Sequence, residues 1–164
     1  MAEPYVTITM PIEAEGKRAH NSRVVFKNGK PFVMHYPDPK MVAHEAAIAK
    51  YARIAVMGLP LLRGEAVSIA IEAHFVPPKS WSKRGVADAL AGRMAHLSKP
   101  DWDNVAKSVC DAFKGIVWDD DSRVVMGQVQ KSWAAEPMIR VTIWKWFEDV
   151  PADPEQRPLI GDFV

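Results

Sequence analysis

The nine residues Val67–Phe75, VSIAIEAHF, constrain the fold more than any other stretch of the chain. Val67, Ile69, Ile71 and Phe75 fall at alternate positions, a period that gathers them on one face of a strand and would scatter them around a helix. Glu72 and His74 point to the opposite face, which is expected to be solvated or to face a helix. A strand of this kind needs neighbours, and three other segments can supply them. Tyr5–Ile12 (YVTITMPI) alternates with β-branched residues, and Arg123–Lys131 and Met138–Phe147 read as two closing strands. The last two flank Ala134-Ala135-Glu136-Pro137 and are expected to pair as a long hairpin. Arg23–Lys27 and Lys30–Met34 flank Asn28-Gly29, a dipeptide suited to a type I′ turn. Pro31 places the second of these strands at an edge or delays its start.

Between the strands the period changes to that of a helix. Asp38-Pro39 supplies a cap and a first-turn proline, and a helix is expected from Met41 to about Val56, with Val42, Ala46, Ile48, Ala49, Ala52, Ala55 and Val56 on its buried side. Gly58 and Pro60 end it. His44 has no second ligand at metal spacing on that helix, so it reads as a satisfied or solvated histidine. Val86–Leu97 reads as a second helix. A third begins near Asp103, where Val105, Ala106, Val109, Ala112, Phe113 and Ile116 share one side, and Gly115 is its terminator. The order is strand, hairpin, helix, strand, helix, helix, strand, strand. This gives an α+β fold: a mixed, largely antiparallel sheet with packed helices. Residues 1–150 form one domain. The tail 151–164 (PADPEQRPLIGDFV) lacks periodicity and is expected to be extended or disordered, docking if at all through Leu159, Ile160 and Phe163.

The chemistry concentrates around the third helix. Lys99-Pro100-Asp101-Trp102-Asp103-Asn104 opens it, Lys107 follows one turn later, and Trp118-Asp119-Asp120-Asp121-Ser122 comes after it. A capping aspartate with a solvated, ion-paired lysine would account for part of this pattern. A cap uses one carboxylate, however, and here there are two, with three more acids downstream among apolar residues that could partly desolvate them. Clustered carboxylates repel and call for a cation. A hard divalent ion with oxygen ligands is the natural one, and Mg²⁺ takes one or two carboxylates while keeping sites for water and phosphate oxygens. The residue types therefore point to metal-dependent phosphoryl transfer, with Lys107 able to hold a phosphate or stabilise developing charge. Glu72 could add a fourth carboxylate. Pro77–Arg84 (PPKSWSKR) is the most basic stretch. Its Lys79, Lys83 and Arg84 can neutralise phosphates, and Trp81 can either stack on an unpaired base or pack on the domain.

Composition narrows the class. With 164 residues, 48% hydrophobic and 25% charged, the chain can bury a core without staples. Its single cysteine, Cys110, cannot form an internal disulfide and reads as packing. No apolar run reaches membrane-spanning length and the N-terminus has no signal-peptide pattern, so a cytoplasmic protein is expected. A formal net charge of +1 argues against a uniformly basic nucleic-acid binder, although basic residues can segregate to one face.

The run K-P-D-W-D-N-x-x-K-x-x-x-D-A-F-x-G-x-x-W-x-D-D-S-x-V resembles the signature of the RusA family of Holliday junction resolvases, often carried by phages and prophages. The upstream strand with its Pro77-Pro78-Lys79-Ser80-Trp81 loop and the closing strands resemble the family too, so the likeness covers roughly residues 5–147. The resemblance implies a homodimeric endonuclease that uses Mg²⁺, with Mn²⁺ as a substitute, and nicks two strands of a four-way DNA junction symmetrically. It places the catalytic and metal-binding aspartates at Asp101, Asp103 and Asp121, with Asp120 beside the last, and the catalytic lysine at Lys107. Lys79, Trp81, Lys83, Arg84 and Lys99 are the candidate DNA contacts. The chain departs from the family at Pro100, where a basic residue is common, at Trp102, where Leu or Ile is usual, and at the additional Asp119. Two other functions fit the same residues: a metal nuclease acting on flaps or forks, and a non-catalytic junction-binding protein. A purely structural domain would leave the acids without a purpose.

Overall fold

The computed structural model describes residues 3–15, 21–36 and 38–146; the proline-rich tail lies outside them. The elements are β1 (Val6–Met10), β2 (Asn21–Lys27), β3 (Lys30–Tyr36), α1 (Pro39–Ala55), β4 (Val67–Phe75), α2 (Lys83–Leu90), α3 (Trp102–Phe113), β5 (Val124–Trp133) and β6 (Met138–Lys145). The α+β class is as expected. Four strands form a mixed sheet in the order β1-β6-β4-β5, and β2 and β3 form a separate two-stranded sheet.

The sheet corrects one expectation. β5 and β6 do not pair as a hairpin, because β4 lies between them: β5 runs parallel to β4 and β6 antiparallel to it. Burial gives the reason. Val67, Ser68, Ile69, Ile71, Ala73 and Phe75 are all buried, so the most apolar strand takes a central place where both backbone edges are paired. The turn after β5 crosses over the end of β4, with Ala134 N–H donating to the Phe75 carbonyl at 2.8 Å. β1 closes the other edge against β6, with Ile8 opposite Val141.

Helices α1 and α3 pack on one face of this sheet. Ile48 and Ala52 of α1 and Val105, Val109, Ala112 and Phe113 of α3 join Ile69, Ile71, Ile139, Val141 and Ile143 in a single core. Asp38 caps α1 as expected, accepting from Lys40 N–H at 2.8 Å. The buried face of α1 is turned slightly from the expected one: Met41 is buried and Val42 exposed. His44 is satisfied, its Nε2 accepting from Glu15 N–H at 3.2 Å. α2 starts and stops earlier than the expected 86–97. Ser82 Oγ caps it by accepting from Gly85 N–H, and the chain leaves the helix at Gly92, whose φ of 72° only glycine adopts readily. Residues 91–100 consequently run as an irregular connection into α3.

The Asn28-Gly29 turn has positive φ at both residues, 51° and 73°, the type I′ signature. Pro31 sits in β3 opposite Phe26. In a sheet of two strands every strand is an edge, so the missing N–H is tolerated.

Candidate active site

Asp101 occupies the N-cap of α3, yet its carboxylate caps nothing: no side-chain hydrogen bond reaches the helix N–H groups. It is exposed and pairs instead with Lys99, at 3.1 Å. Asp103 and Lys107 follow on the exposed side of the same helix, one turn apart. A capping aspartate is thus not what the structure contains at Asp101.

The apolar side of α3 explains why the polar side is held rigidly. Val109 and Phe113 are fully buried, and Phe113 meets Trp118 edge-on with centroids 5.5 Å apart. The helix ends where Gly115, at φ 73°, turns the chain back so that its N–H bonds the Trp118 carbonyl at 2.7 Å. Leu62 then clasps the turn from outside: its N–H bonds the Val117 carbonyl and its carbonyl accepts from Asp119 N–H. This delivers Asp119, Asp120 and Asp121 just beyond the helix C-terminus.

The three downstream acids divide into two roles. Asp119 binds Arg123, with Oδ1 to Nε at 2.9 Å, and this guanidinium holds its carboxyl below the usual range. Asp120 accepts from Lys114 Nζ at 2.5 Å and from Ser122 N–H at 3.0 Å, and those two bonds hold its carboxyl well below the usual range. Asp121 reaches the same ammonium at 3.7 Å. Two carboxylates therefore already converge on one cation. Lys114 lies on the polar stripe of α3, two turns beyond Lys107, and its part in ordering the acids was not evident from sequence; its spacing from Lys107 is the signal that could have found it.

The structure does not gather the expected aspartates into one cradle. Among the described residues no three His, Cys, Asp or Glu side chains are grouped closely enough to hold a metal ion. About 16 Å of helix rise separates Asp103 from Lys114, which holds Asp120 and Asp121. Repulsion supplies a reason: Asp101, Asp119, Asp120 and Asp121 each take a lysine or arginine as counter-charge. Nor are the acids desolvated, since Asp101, Asp103 and Asp121 are exposed and Asp119 and Asp120 half-buried. Glu72 is engaged elsewhere, with Arg140 at 3.4 Å on the sheet. The donor set still fits a hard divalent ion. Every candidate is a carboxylate, Asp101 and Asp103 are not spent on helix capping, and Mg²⁺ requires only one or two such ligands.

The basic loop lies at the Asp101 end of this arrangement. Trp81 packs edge-on against Trp133, 5.0 Å between centroids, so its ring is half-buried and serves at least partly as an anchor. Trp133 in turn contacts His96 at 4.3 Å, in the connection leading to Asp101. Lys79, Lys83 and Arg84 are exposed; Arg84 has only a long contact to Asp88, 3.9 Å. Cys110 is half-buried on α3, and burial, followed by the nearby Asp121 and Asp111 charges, pushes its thiol up to about 11. That suits packing and not nucleophilic chemistry.

Fold and site together define a class: a mixed α+β domain that exposes a pair of aspartates and a lysine at the start of one helix, beside a basic loop. Residues 13–144 match the family model described as "Endodeoxyribonuclease RusA". The chain belongs to this family of endodeoxyribonucleases. It is also similar to "Uncharacterized protein YqaN" of Bacillus subtilis (strain 168), 37% identical over 79 residues, which cover 47% of this chain and 56% of that protein. The match thus spans little more than half the length of that relative. No helix among the described residues is long and apolar enough to cross a membrane.

Proposed function

We propose that the protein is a Mg²⁺-dependent endonuclease that resolves four-way DNA junctions by paired, symmetric nicks in recombination and repair, acting as a homodimer in the cytoplasm of a bacterial or phage-infected cell. The observation that carries this reading is the uncapped Asp101 standing exposed with Asp103 and Lys107 at the start of α3, in a chain of the RusA family. A carboxylate at an N-cap normally contributes about 1 kcal/mol by accepting from the helix. Asp101 forgoes that bond and remains available to a ligand.

Asp121, with Asp120 beside it, would hold a second divalent ion, and Asp101 and Asp103 the one beside Lys107. Bound there, it would lower the pKa of a coordinated water and neutralise phosphate charge. The chain's own groups do the rest. Lys107 places an ammonium where a phosphodiester approaching Asp103 gains negative charge. Lys79, Lys83, Arg84 and Lys99 would contact the DNA backbone, and the exposed edge of Trp81 a base. Lys114 holds Asp120 and Asp121 in place, and Arg123 holds Asp119.

A two-fold dimer would match the two strands to be cut. An isolated two-stranded hairpin is marginal in water, and the β2–β3 hairpin exposes Val24, Phe26, Phe32 and Val33. This apolar surface supports a second copy as its cover, and the mass in solution tests it.

The decisive experiment compares cleavage of a labelled four-way junction with a matched linear duplex, in Mg²⁺ or EDTA, for wild type and Asp103→Asn. Paired nicks in the junction alone, dependent on metal and reduced at least about 100-fold in the variant, are expected. Binding without cutting under any divalent metal would refute the enzyme. Equal cutting of duplex and junction would refute the junction substrate.

A further inference from the structure

We infer that Lys131 is a positioning residue, which sets the place of Asp101 and Asp103 by pinning the connection that leads into α3. The inference rests on the reading of those two aspartates as catalytic.

Residues 91–100 form neither helix nor strand, and most of them are exposed. Such a connection has little of its own to fix where α3 begins. Its fixed points come from the far end of β5. Lys131 Nζ donates to the Ser98 carbonyl at 2.8 Å and to the Pro100 carbonyl at 2.7 Å, so one ammonium brackets Lys99 from both sides. Pro100 is buried, and its carbonyl immediately precedes Asp101. Two residues further along β5, Trp133 Nε1 donates to the Ala95 carbonyl at 3.4 Å. Trp133 and Phe75 also enclose the ring of His96, which lies 3.9 Å from Phe75 and nearly parallel to it.

The chemistry of Lys131 suits this task. An ammonium has three donors, and two are directed at carbonyls that no helix or strand uses. Bonds from a charged donor are shorter and stronger than neutral ones. Among the described residues no carboxylate pairs with it, so these carbonyls are its principal hold. Lys131 is itself half-buried and stands opposite Ala73 in the parallel register of β4 and β5, on a rigid part of the sheet. β5 also begins just after Asp121. One strand therefore spans from the downstream aspartates at its start to the Asp101 segment near its end. Catalytic geometry tolerates displacements well below 1 Å, so freeing this segment would impair the chemistry without dismantling the core.

The test uses the full chain with Lys131→Met, which keeps the stem and removes the donors, and Lys131→Arg, which restores a charged donor. In Lys131→Met, amide exchange over 97–105 should rise about tenfold while β4 and α1 keep their protection. Cleavage at saturating junction should fall about 100-fold, with junction affinity and its salt dependence unchanged, and Lys131→Arg should recover most of the rate. Wild-type exchange over 97–105 in Lys131→Met would overturn the inference. So would a normal rate at saturation combined with weaker, less salt-dependent binding, which would make Lys131 a phosphate contact. If wild type cuts no DNA at all, it is the reading of Asp101 and Asp103 that fails, and the exchange measurement still decides whether Lys131 pins the segment.

Discussion

Replacing Trp118 should show how far the downstream aspartates depend on the core beneath them. The side chain is fully buried, meets Phe113 at 5.5 Å, and its backbone ties both Leu62 and Lys114 to the turn. Removing the indole would forfeit roughly 200 Å² of burial, about 5 kcal/mol at 25 cal/mol/Å². That figure is an upper value, and measured truncations of this type cost about 3–5 kcal/mol. For a chain of this size the melting temperature should fall by about 10 °C. Trp118→Phe separates shape from polarity. It keeps a ring against Phe113 and removes Nε1, which is buried with no partner among the described residues. Relief of that unpaired donor offsets part of the lost contact, so the cost should be about 1 kcal/mol. Urea unfolding followed by far-UV circular dichroism measures both variants. A Trp118→Ala loss below about 1 kcal/mol, or equal losses in the two variants, would refute the reasoning.

Two further predictions concern titration. Burial, then the Lys131 charge, lowers the pKa of His96 below its ordinary value, so the folded protein takes up this proton less readily than the unfolded chain. The His96 contribution to stability should be flat above about pH 6.5 and decline below it, by at most about 1.4 kcal/mol per pH unit, until the folded pKa is passed. His44 is lowered in the same direction, chiefly by burial, so His96→Gln should reduce the slope between pH 6.5 and 5.5 without abolishing it; an unchanged urea-midpoint slope would exclude His96. Cys110, with its thiol pushed up to about 11, should react with a disulfide reagent at pH 8 at least about 100-fold more slowly than an ordinary thiol, and labelling at the ordinary rate would show that α3 opens readily.

Local chemistry was legible wherever neighbouring residues decide the outcome. The period of Val67–Phe75 marked β4, Asn28-Gly29 marked the turn, Asp38-Pro39 the start of α1 and Gly115 the end of α3, because each depends on backbone preferences within a few residues. The order of residues from Lys99 to Ser122 likewise sufficed to suggest the family, which the match over 13–144 shows. Strand pairing was not legible. β5 and β6 are adjacent in sequence with a short turn, and only the need to cover both edges of β4 separates them. The end of α2 was missed because helical composition continues past Gly92, while a positive φ there directs the chain away.

The sequence by itself determined which residues carry charge, which segments alternate, and that Asp101, Asp103 and Lys107 share the start of one helix. Only the tertiary structure decided what each charge faces. It gave Asp101 to Lys99, Asp120 and Asp121 to Lys114, Asp119 to Arg123 and Glu72 to Arg140, and it set Lys131 against two carbonyls of the segment before Asp101. The physical reason is range. Backbone preference acts over a turn or two of chain, whereas Coulombic and hydrogen-bonding partners are chosen by proximity in space, which exists only once the sheet has brought β5 alongside β4 and α3 has packed on them.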